Sequence, residues 1–257
     1  MLLTLDTGNT ETVMGLFDDD AKLVSHWRLS TNAERTSDEH ALLVSQLLDL
    51  DGYAFEETVT GIAISSTVPS LTATLREMTR RWFDVPTVVL EPGVKTGMPI
   101  LIDNPKEVGA DRIANAVGTY ELYGGPSICV DFGTATTCDC VSANGEYLGG
   151  AILPGVGISM DALFGRAAAL RRVELVEPRS VIGKSTVESI QSGAVYGFPG
   201  AVDAIVRRIQ SELGECTVVA TGGLSGLMVP LSDTIEHHEP WITLHGLRLI
   251  FERNTAK

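Results

Sequence analysis

Cationic residues are scarce in this 257-residue chain: 19 Lys and Arg stand against 33 Asp and Glu, a formal net charge of −14. A surface that acidic repels phosphodiester backbones and anionic lipid headgroups, which argues against a stand-alone nucleic-acid binder and against a membrane-surface protein. Long apolar runs are also missing, since none approaches the roughly 18 residues that span a bilayer. The opening Met1-Leu2-Leu3-Thr4-Leu5-Asp6 has neither a basic region nor a long apolar stretch, so it reads as a strand and not as a signal peptide. Cysteine is limited to positions 129, 138, 140 and 216, with no Cys-x-x-Cys. That usage fits reduced, partly buried thiols in a cytoplasmic protein and gives no zinc pattern. Cys138 and Cys140, two apart on a strand-like run, should face the same way.

What is present is ordinary globular material, 44% hydrophobic and 20% charged, in a length that corresponds to about 1.7 typical domains. A weak internal repeat organises it. Residues 2–17 and residues 127–141 each read as a short apolar strand ending in Asp-x-Gly, followed by a second strand, a turn and a third strand. The two aspartates, Asp6 and Asp131, lie 125 residues apart, about half the chain, so a duplicated domain is expected, with the boundary near 116 (1–116 and 117–257). Asn144-Gly145 marks the hairpin turn of the second copy.

Helices fill the gaps. Thr36-Ser37-Asp38-Glu39 has the spacing of a capping box before a periodic apolar run to Leu48. Pro69 opens a second amphipathic run to Trp82, and a third begins near Gly109. Ser185-x-x-Glu188 opens a long one to Leu213, which Pro199 should kink or split. Val59–Ile64, Val85–Leu90 and Thr217–Ala220 read as buried strands. The pattern is an α/β or α+β domain pair built on mixed sheets.

Several stretches carry chemistry. In Asp6-Thr7-Gly8-Asn9-Thr10, a carboxylate at a strand end precedes a glycine turn with small hydroxyl and amide side chains. Such a turn offers backbone N–H groups to an anion, and the carboxylate can hold Mg²⁺ or its water shell against phosphates. The same residues also suit a plain hairpin turn. Recurrence at Asp131-Phe132-Gly133-Thr134-Ala135-Thr136 favours a pair of loops that clamp phosphates. Asp111, two residues after Gly109, falls at a helix start, where the dipole stabilises the anion and the carboxylate can take a proton from a hydroxyl. Arg112 beside it offers a fork for a carboxylate or phosphate. Asp111 serves equally as a helix-stabilising first-turn acid.

Other patterns fail on inspection. Gly183-Lys184-Ser185-Thr186 ends like a P-loop, yet its first glycine should fall where Pro178 stands. Ser185 reads instead as a helix cap, with Thr186 a substrate-facing hydroxyl. Gly149 to Gly157 lacks the third glycine of a dinucleotide fingerprint, holding Met160 there, and reads as a strand, a Gly-Pro turn and a helix. Thr221-Gly222-Gly223 could lay an adenine or ribose on bare backbone, or be a simple strand-to-helix turn. His237-His238 reads as a solvated loop, with His26, His40 and His245 at surface or interface positions.

Taken together, Asp6-x-Gly-Asn-Thr10, Ile64-Ser-Ser-Thr-Val-Pro69, Asp103-Asn-Pro-Lys-Glu-Val-Gly-Ala-Asp-Arg-Ile113, Asp131-Phe-Gly-Thr-Ala-Thr136, Gly149-Gly-Ala-Ile-Leu-Pro-Gly155, Thr221-Gly-Gly223 and Gly246-Leu-Arg-Leu-Ile-Phe-Glu-Arg-Asn254 resemble the type III pantothenate kinases of the actin and sugar-kinase superfamily. The resemblance runs in order from about residue 1 to 254. It implies duplicated ribonuclease-H-like (actin-like ATPase) domains, each a mixed five-stranded sheet flanked by helices. It also implies ATP-dependent phosphorylation of pantothenate to 4′-phosphopantothenate, the first step towards coenzyme A. By the same resemblance Asp6, Thr7, Gly8, Asn9, Thr10, Glu11, Thr12 and Val13 form the first ATP loop, and Thr134 contacts ATP. Asp111 is the general base, with Gly109, Ala110, Arg112 and Thr186 lining the pantothenate pocket. Asp131 holds a monovalent cation, K⁺ or NH₄⁺, alongside the ATP–Mg²⁺ requirement. A homodimer is implied, with Gly193, Ala194, Gly197, Gly200 and Ala201 suited to close helix packing. One departure is Ile102, which stands where many members carry a pantothenate-contacting tyrosine. The alternatives are a kinase of another small alcohol and a non-catalytic, transcription-accessory relative of the same fold.

Overall fold

The computed structural model describes residues 1–167 and 170–256. Two compact units emerge. The first comprises Met1–Pro99, Asp103–Gly118 and the C-terminal stretch from Ile242, and the second comprises Ile100–Ile102 and Thr119–Trp241. The units differ from a single cut at residue 116: the chain passes between them after Gly118, Ile100–Ile102 cluster with the second unit, and the C-terminal helix clusters with the first.

In the first unit β1 (Leu2–Thr7), β2 (Glu11–Phe17) and β3 (Leu23–Ser30) form an antiparallel meander. Then come α1 (Ser37–Leu50), the single turn α2 (Phe55–Thr58), β4 (Gly61–Ser66), α3 (Pro69–Met78) and β5 (Thr87–Val89). The sheet order is β3-β2-β1-β4-β5, with β4 and β5 parallel to β1. The helix α4 (Ala110–Tyr123) leads into the second unit. There β6 (Ser127–Phe132), β7 (Ala135–Val141) and β8 (Tyr147–Pro154) repeat the meander, followed by α5 (Val156–Arg166), α6 (Thr186–Leu213), β9 (Thr217–Thr221), α7 (Ser225–Met228) and β10 (His237–His238). The second sheet has the order β10-β9-β6-β7-β8, the same topology read from its other edge. The chain closes on α8 (Ile242–Thr255).

Period-two burial builds each core. On one face of the first sheet Leu3, Leu5, Met14, Leu16, Ile62 and Ile64 pack against Ala41, Val44 and Leu48 of α1 and Leu75 and Met78 of α3. The capping box is formed: Thr36 accepts from the Glu39 N–H while the Glu39 carboxylate accepts from the Thr36 N–H. In the second unit Ile128, Val130, Phe132, Cys138, Cys140, Val218 and Ala220 pack against α5 and α6. Cys138 and Cys140 thus share a face, and all four thiols are buried and unpaired by disulfides, deeper than partial burial.

The opposite faces carry the polar residues. Over the first sheet α8 lies close enough that a methyl at Gly61 would overlap Phe251 and one at Gly15 would press on Leu244. On the second sheet Cys129 and Asp139 face each other across β6 and β7, and Thr119 of α4 hydrogen-bonds the Cys129 thiol.

Several sequence expectations change. Pro199 does not split α6, which runs unbroken from Thr186 to Leu213. Burial of Val195, Pro199, Val202 and Val206 along one side compensates the missing N–H. The run to Trp82 ends in a π-helical turn, Thr79–Phe83, and not in further α-helix. His237 and His238 form the edge strand β10 instead of a loop. Ala194 is buried in its own unit's core and does not sit on an outer face. Asp203 of α6 is buried and gathers the Ser232 and Thr234 hydroxyls and the Asp233 N–H (2.5, 2.7 and 2.9 Å), which fixes the loop ahead of β10.

His40 is the clearest correction, because it is 5% exposed and not at a surface. Burial, with Arg35 nearby, holds its pKa below 6.5, and its Nε2 has no hydrogen-bond partner. A base whose folded pKa lies below the unfolded value stabilises the fold fully above 6.5. That contribution is lost as pH falls from there towards the folded pKa, because the unfolded chain takes up the proton first. Urea unfolding at about pH 7.5 and about pH 5.5 should therefore show a smaller acid loss for His40→Leu than for the parent chain. Equal losses would remove His40 from the acid sensitivity.

Candidate active site

The first corner is built by the β1–β2 hairpin. Asp6 is the fifth residue of β1, opposite Val13 on β2 and opposite Ser65 on the parallel strand β4. The Ser65 hydroxyl donates to Asp6 Oδ1, so the parallel neighbour fixes the carboxylate. Beyond Thr7 the chain turns tightly, with the Gly8 N–H donating to the Glu11 carbonyl at 2.9 Å. Thr31 closes the turn from β3's end: its hydroxyl donates to the Gly8 carbonyl (2.8 Å) and meets the Thr12 hydroxyl at 3.0 Å. Asn9, Thr10 and Glu11 are exposed, so donors and a carboxylate line the rim. The hairpin expected from these residues is present.

The second corner repeats this with a shorter loop. Asp131 is again fifth in its strand, opposite Thr137 on β7 and opposite Thr221 on the parallel strand β9. Three residues separate the paired Phe132 and Thr136, against four between Thr7 and Thr12. The loop leans on the start of α5, where the Gly155 N–H donates to the Thr134 carbonyl at 3.1 Å. Thr134 itself is exposed.

Gly222 explains the glycine pair after β9. Its φ of +97° lies where side-chain-bearing residues are strained, and an added methyl would overlap Asp131 Oδ1 and Phe132 N. The half-buried Asp131 carboxylate is therefore seated in a corner floored by Gly133 and Gly222. The Ser225 hydroxyl donates to the Gly222 carbonyl (2.6 Å) and contacts His238 Nε2 (2.7 Å).

The Asp111 corner belongs to the first unit with Asp6. A 3₁₀ turn at Pro105–Glu107, begun by Asn104, delivers the chain to α4. Asp111 is the second residue of that helix, and its Oδ1 accepts from the Arg112 N–H at 2.8 Å. The same oxygen lies over Gly109, where a methyl would come within 2.5 Å of it. Gly109, Ala110, Asp111 and Arg112 are all half-buried, before a fully buried run from Ile113.

Thr186 is exposed in the first turn of α6. Ser185 is that helix's cap, accepting from the Glu188 N–H at 3.2 Å, which accounts for the P-loop-like spelling. Ile102 lies beside β8: its Cγ2 is 3.3 Å from where a Gly149 methyl would be, and the Leu101 N–H donates to the Tyr147 carbonyl at 2.8 Å.

Three features escape the sequence reading: the Ser65 hydroxyl on Asp6, the contact of Gly222 with Asp131, and a buried carboxylate at Asp139. Asp139 accepts from Tyr147 Oη (2.7 Å) and Thr137 Oγ1 (2.8 Å) and is fully buried. The available signal was a lone acid inside an otherwise apolar and cysteine-bearing strand.

Two sheets of one topology, each ending its central strand in Asp-x-Gly, define a class: the actin-like ATPases and sugar kinases. Solved structures agree on the fold. The activator of the 2-hydroxyisocaproyl-CoA dehydratase from Clostridium difficile, with bound ADPNP, superposes with a TM-score of 0.61 at 14% identity, covering 98% of this chain and 95% of that one. A ROK family glucokinase from Streptomyces griseus, in complex with glucose and AMPPNP, gives 0.51 at 13% identity over 95% and 97% of the two chains. The sequence profile of the type III pantothenate kinases matches residues 2–208. A type III pantothenate kinase of Streptomyces griseus is 57% identical over the full length of both chains. The chain belongs to the type III pantothenate kinase family.

Gly222→Ala is expected to displace the Asp131 carboxylate. Turnover should fall by at least about ten-fold while the unfolding midpoint moves by no more than an overpacking change of about 1–3 kcal/mol. A variant with unaltered turnover would show that Asp131 tolerates relocation.

Proposed function

We propose that this chain transfers the γ-phosphoryl group of ATP to the primary hydroxyl of pantothenate, with Asp111 as the general base. The observation that carries the assignment of roles is the Gly109–Arg112 corner. There a carboxylate is clamped by the next backbone N–H over a glycine, at the positive end of a fourteen-residue helix. The dipole keeps Asp111 ionised and ready to accept a proton. As the hydroxyl oxygen forms its bond to the γ-phosphorus, the bond to the bridging oxygen breaks, ADP leaves, and the hydroxyl proton passes to the Asp111 carboxylate. Arg112 and Thr186 would orient the acceptor, and Ile102 would offer it an apolar contact in place of a tyrosine hydroxyl.

The residues from Asp6 to Val13, with Thr134, would cradle the phosphates through backbone N–H groups and small hydroxyls. Among the described residues no three His, Cys, Asp or Glu side chains cluster as a metal site. That sparse donor set fits Mg²⁺, which takes one or two carboxylates and draws its remaining oxygens from phosphate and water. Asp6 would hold Mg²⁺ or its water shell, and the bound ion would supply charge neutralisation to the phosphates. Asp131, half-buried and floored by glycine, suits a large monovalent cation such as K⁺ or NH₄⁺.

A coupled ADP-release assay with pantothenate, ATP and Mg²⁺ tests these roles. Asp111→Asn should lower kcat by about 10²–10⁴-fold while ADP binding, read by calorimetry, stays near the parent value. A parent-like rate would reassign the base. Asp131→Ala should flatten the K⁺ titration of activity, and an unchanged titration would refute that cation site.

A homodimer belongs to the same proposal. Val181, Ile182 and Val187 are 65%, 72% and 48% exposed beside the start of α6. Gly193, Gly197 and Gly200 form one row along that helix, and a methyl on any of them would meet nothing within 4 Å beyond the helix's own backbone. A second copy of this surface would bury the apolar residues and allow close helix approach. Light scattering should give twice the 27.5 kDa chain mass, and Ile182→Glu should shift it towards the monomer. A monomeric parent chain would end this part of the proposal.

A further inference from the structure

The open edge of the first sheet holds a cavity of about 520 Å³ that none of the residues discussed above as catalytic or nucleotide-binding lines. Its size is within the range of roughly 300–1,000 Å³ common for small-molecule sites. Arg76, Thr79 and Arg80 come from α3 and the π-helical turn, Val88 and Val89 from β5, and Asn254 from α8.

Most polar groups in the lining are already committed. Arg76 is paired with Glu91 at 2.7 Å. The Thr79 hydroxyl donates to the Arg76 carbonyl at 3.0 Å, and that of Thr87 to the Val85 carbonyl at 3.0 Å. The Asn254 amide donates to the Lys95 and Ile250 carbonyls (2.9 and 2.7 Å) and accepts from the Lys95 N–H at 3.2 Å. Among the described residues Arg80 has no ion pair and no side-chain hydrogen bond. The exposed Asp84, which also lines the cavity, lies beyond ion-pair distance of it. Glu91 is neutralised by Arg76, so the unengaged cation facing this cavity is Arg80.

The backbone adds donors. β5 pairs with β4 alone. The Pro86 carbonyl and Leu90 N–H point at β4, bonding Ile62 and Ile64 at 2.9 and 2.8 Å. Strand alternation then turns the N–H groups of Thr87 and Val89 away from β4, to the open edge. Val85, Val88, Val89 and Val94 are only partly buried and give the cavity an apolar floor. The segment that carries Arg80 is itself unusual. It is a single π-helical turn closed by Asp84 at a φ of +42°, and both features concentrate at functional sites.

We infer that this cavity binds a small carboxylate with an apolar body, its anionic end taken by Arg80 and the open-edge N–H groups and its hydrocarbon laid on the valines. A guanidinium fork matches a carboxylate, and the valine floor gives no return for a bare inorganic anion.

Hexanoate, acetate and inorganic phosphate are the probes, titrated into the full-length chain and followed by heteronuclear NMR shifts. Saturable hexanoate binding is expected, about ten-fold or more tighter than acetate, since four additional methylenes meet the valines. The shifts should centre on residues 76–94. Arg80→Gln, a change at an exposed side chain, should weaken hexanoate by about ten-fold or more with an unchanged unfolding midpoint. Saturating ADP should leave hexanoate binding intact. The inference is overturned if hexanoate binds no better than acetate or phosphate, if Arg80→Gln binds it like the parent, or if ADP competes with it.

Discussion

Parallel pairing of the central strand with its neighbour sets the position of the two strand-end carboxylates, Asp6 and Asp131. In the first sheet it puts Ser65 beside Asp6, and in the second it puts Thr221 beside Asp131, each at the last turn of the pleat before a glycine loop. A period-two pattern buries Leu3 and Leu5, or Ile128 and Val130, on the helix-packed face. It thereby forces the aspartate to the other face at the strand's end. A one-residue slip would turn both carboxylates into the apolar core, so the same register that satisfies the core also presents the acids. Stability and site placement are one constraint here, stated twice by a duplicated chain.

Glycine refines what register roughs out. At Gly109 and Gly222 the absent side chain is occupied by a carboxylate oxygen of another residue, Asp111 in one case and Asp131 in the other. Each acid is thus located by two independent means: a backbone N–H or strand register from one side, and a close backbone approach from the other. That double fixing preorganises a carboxylate.

Much of this was readable from the residues. The Asp-x-Gly recurrence announced the duplication, and the capping box at Thr36 and the cap at Ser185 announced two helix starts. What was not readable depended on partners remote in sequence. Nothing near Asp6 says that Ser65 will hold it, since the two are fifty-nine positions apart. Nothing near Gly222 says that its neighbour is Asp131. The fate of α8 was hidden for the same reason: its Leu244 and Phe251 fit against Gly15 and Gly61 of the first sheet, far from it along the chain. Pro199 misled because local propensity was read without the burial along α6 that outweighs it. His40 misled because a single histidine on an amphipathic helix gives no sign of which side of the apolar stripe it takes.

The proposed site shares the chain's shortage of cationic side chains. Among the residues assigned to nucleotide, acceptor and ions, Asp6, Glu11, Asp111 and Asp131 are acidic and Arg112 alone is basic. Bringing a triphosphate up to any one of these carboxylates is unfavourable by Coulomb's law unless positive charge arrives with it. Side chains do not supply that charge, so it must come from oriented backbone N–H groups, from a helix N-terminus and from bound cations. This is why the corners are written in glycine, threonine and asparagine and not in lysine. A kinase built this way depends on its ions for ground-state binding as well as for chemistry. The penalty that an acidic surface sets on nucleotide capture is reduced, because the metal-complexed substrate presents a smaller net charge to the protein than the free triphosphate does.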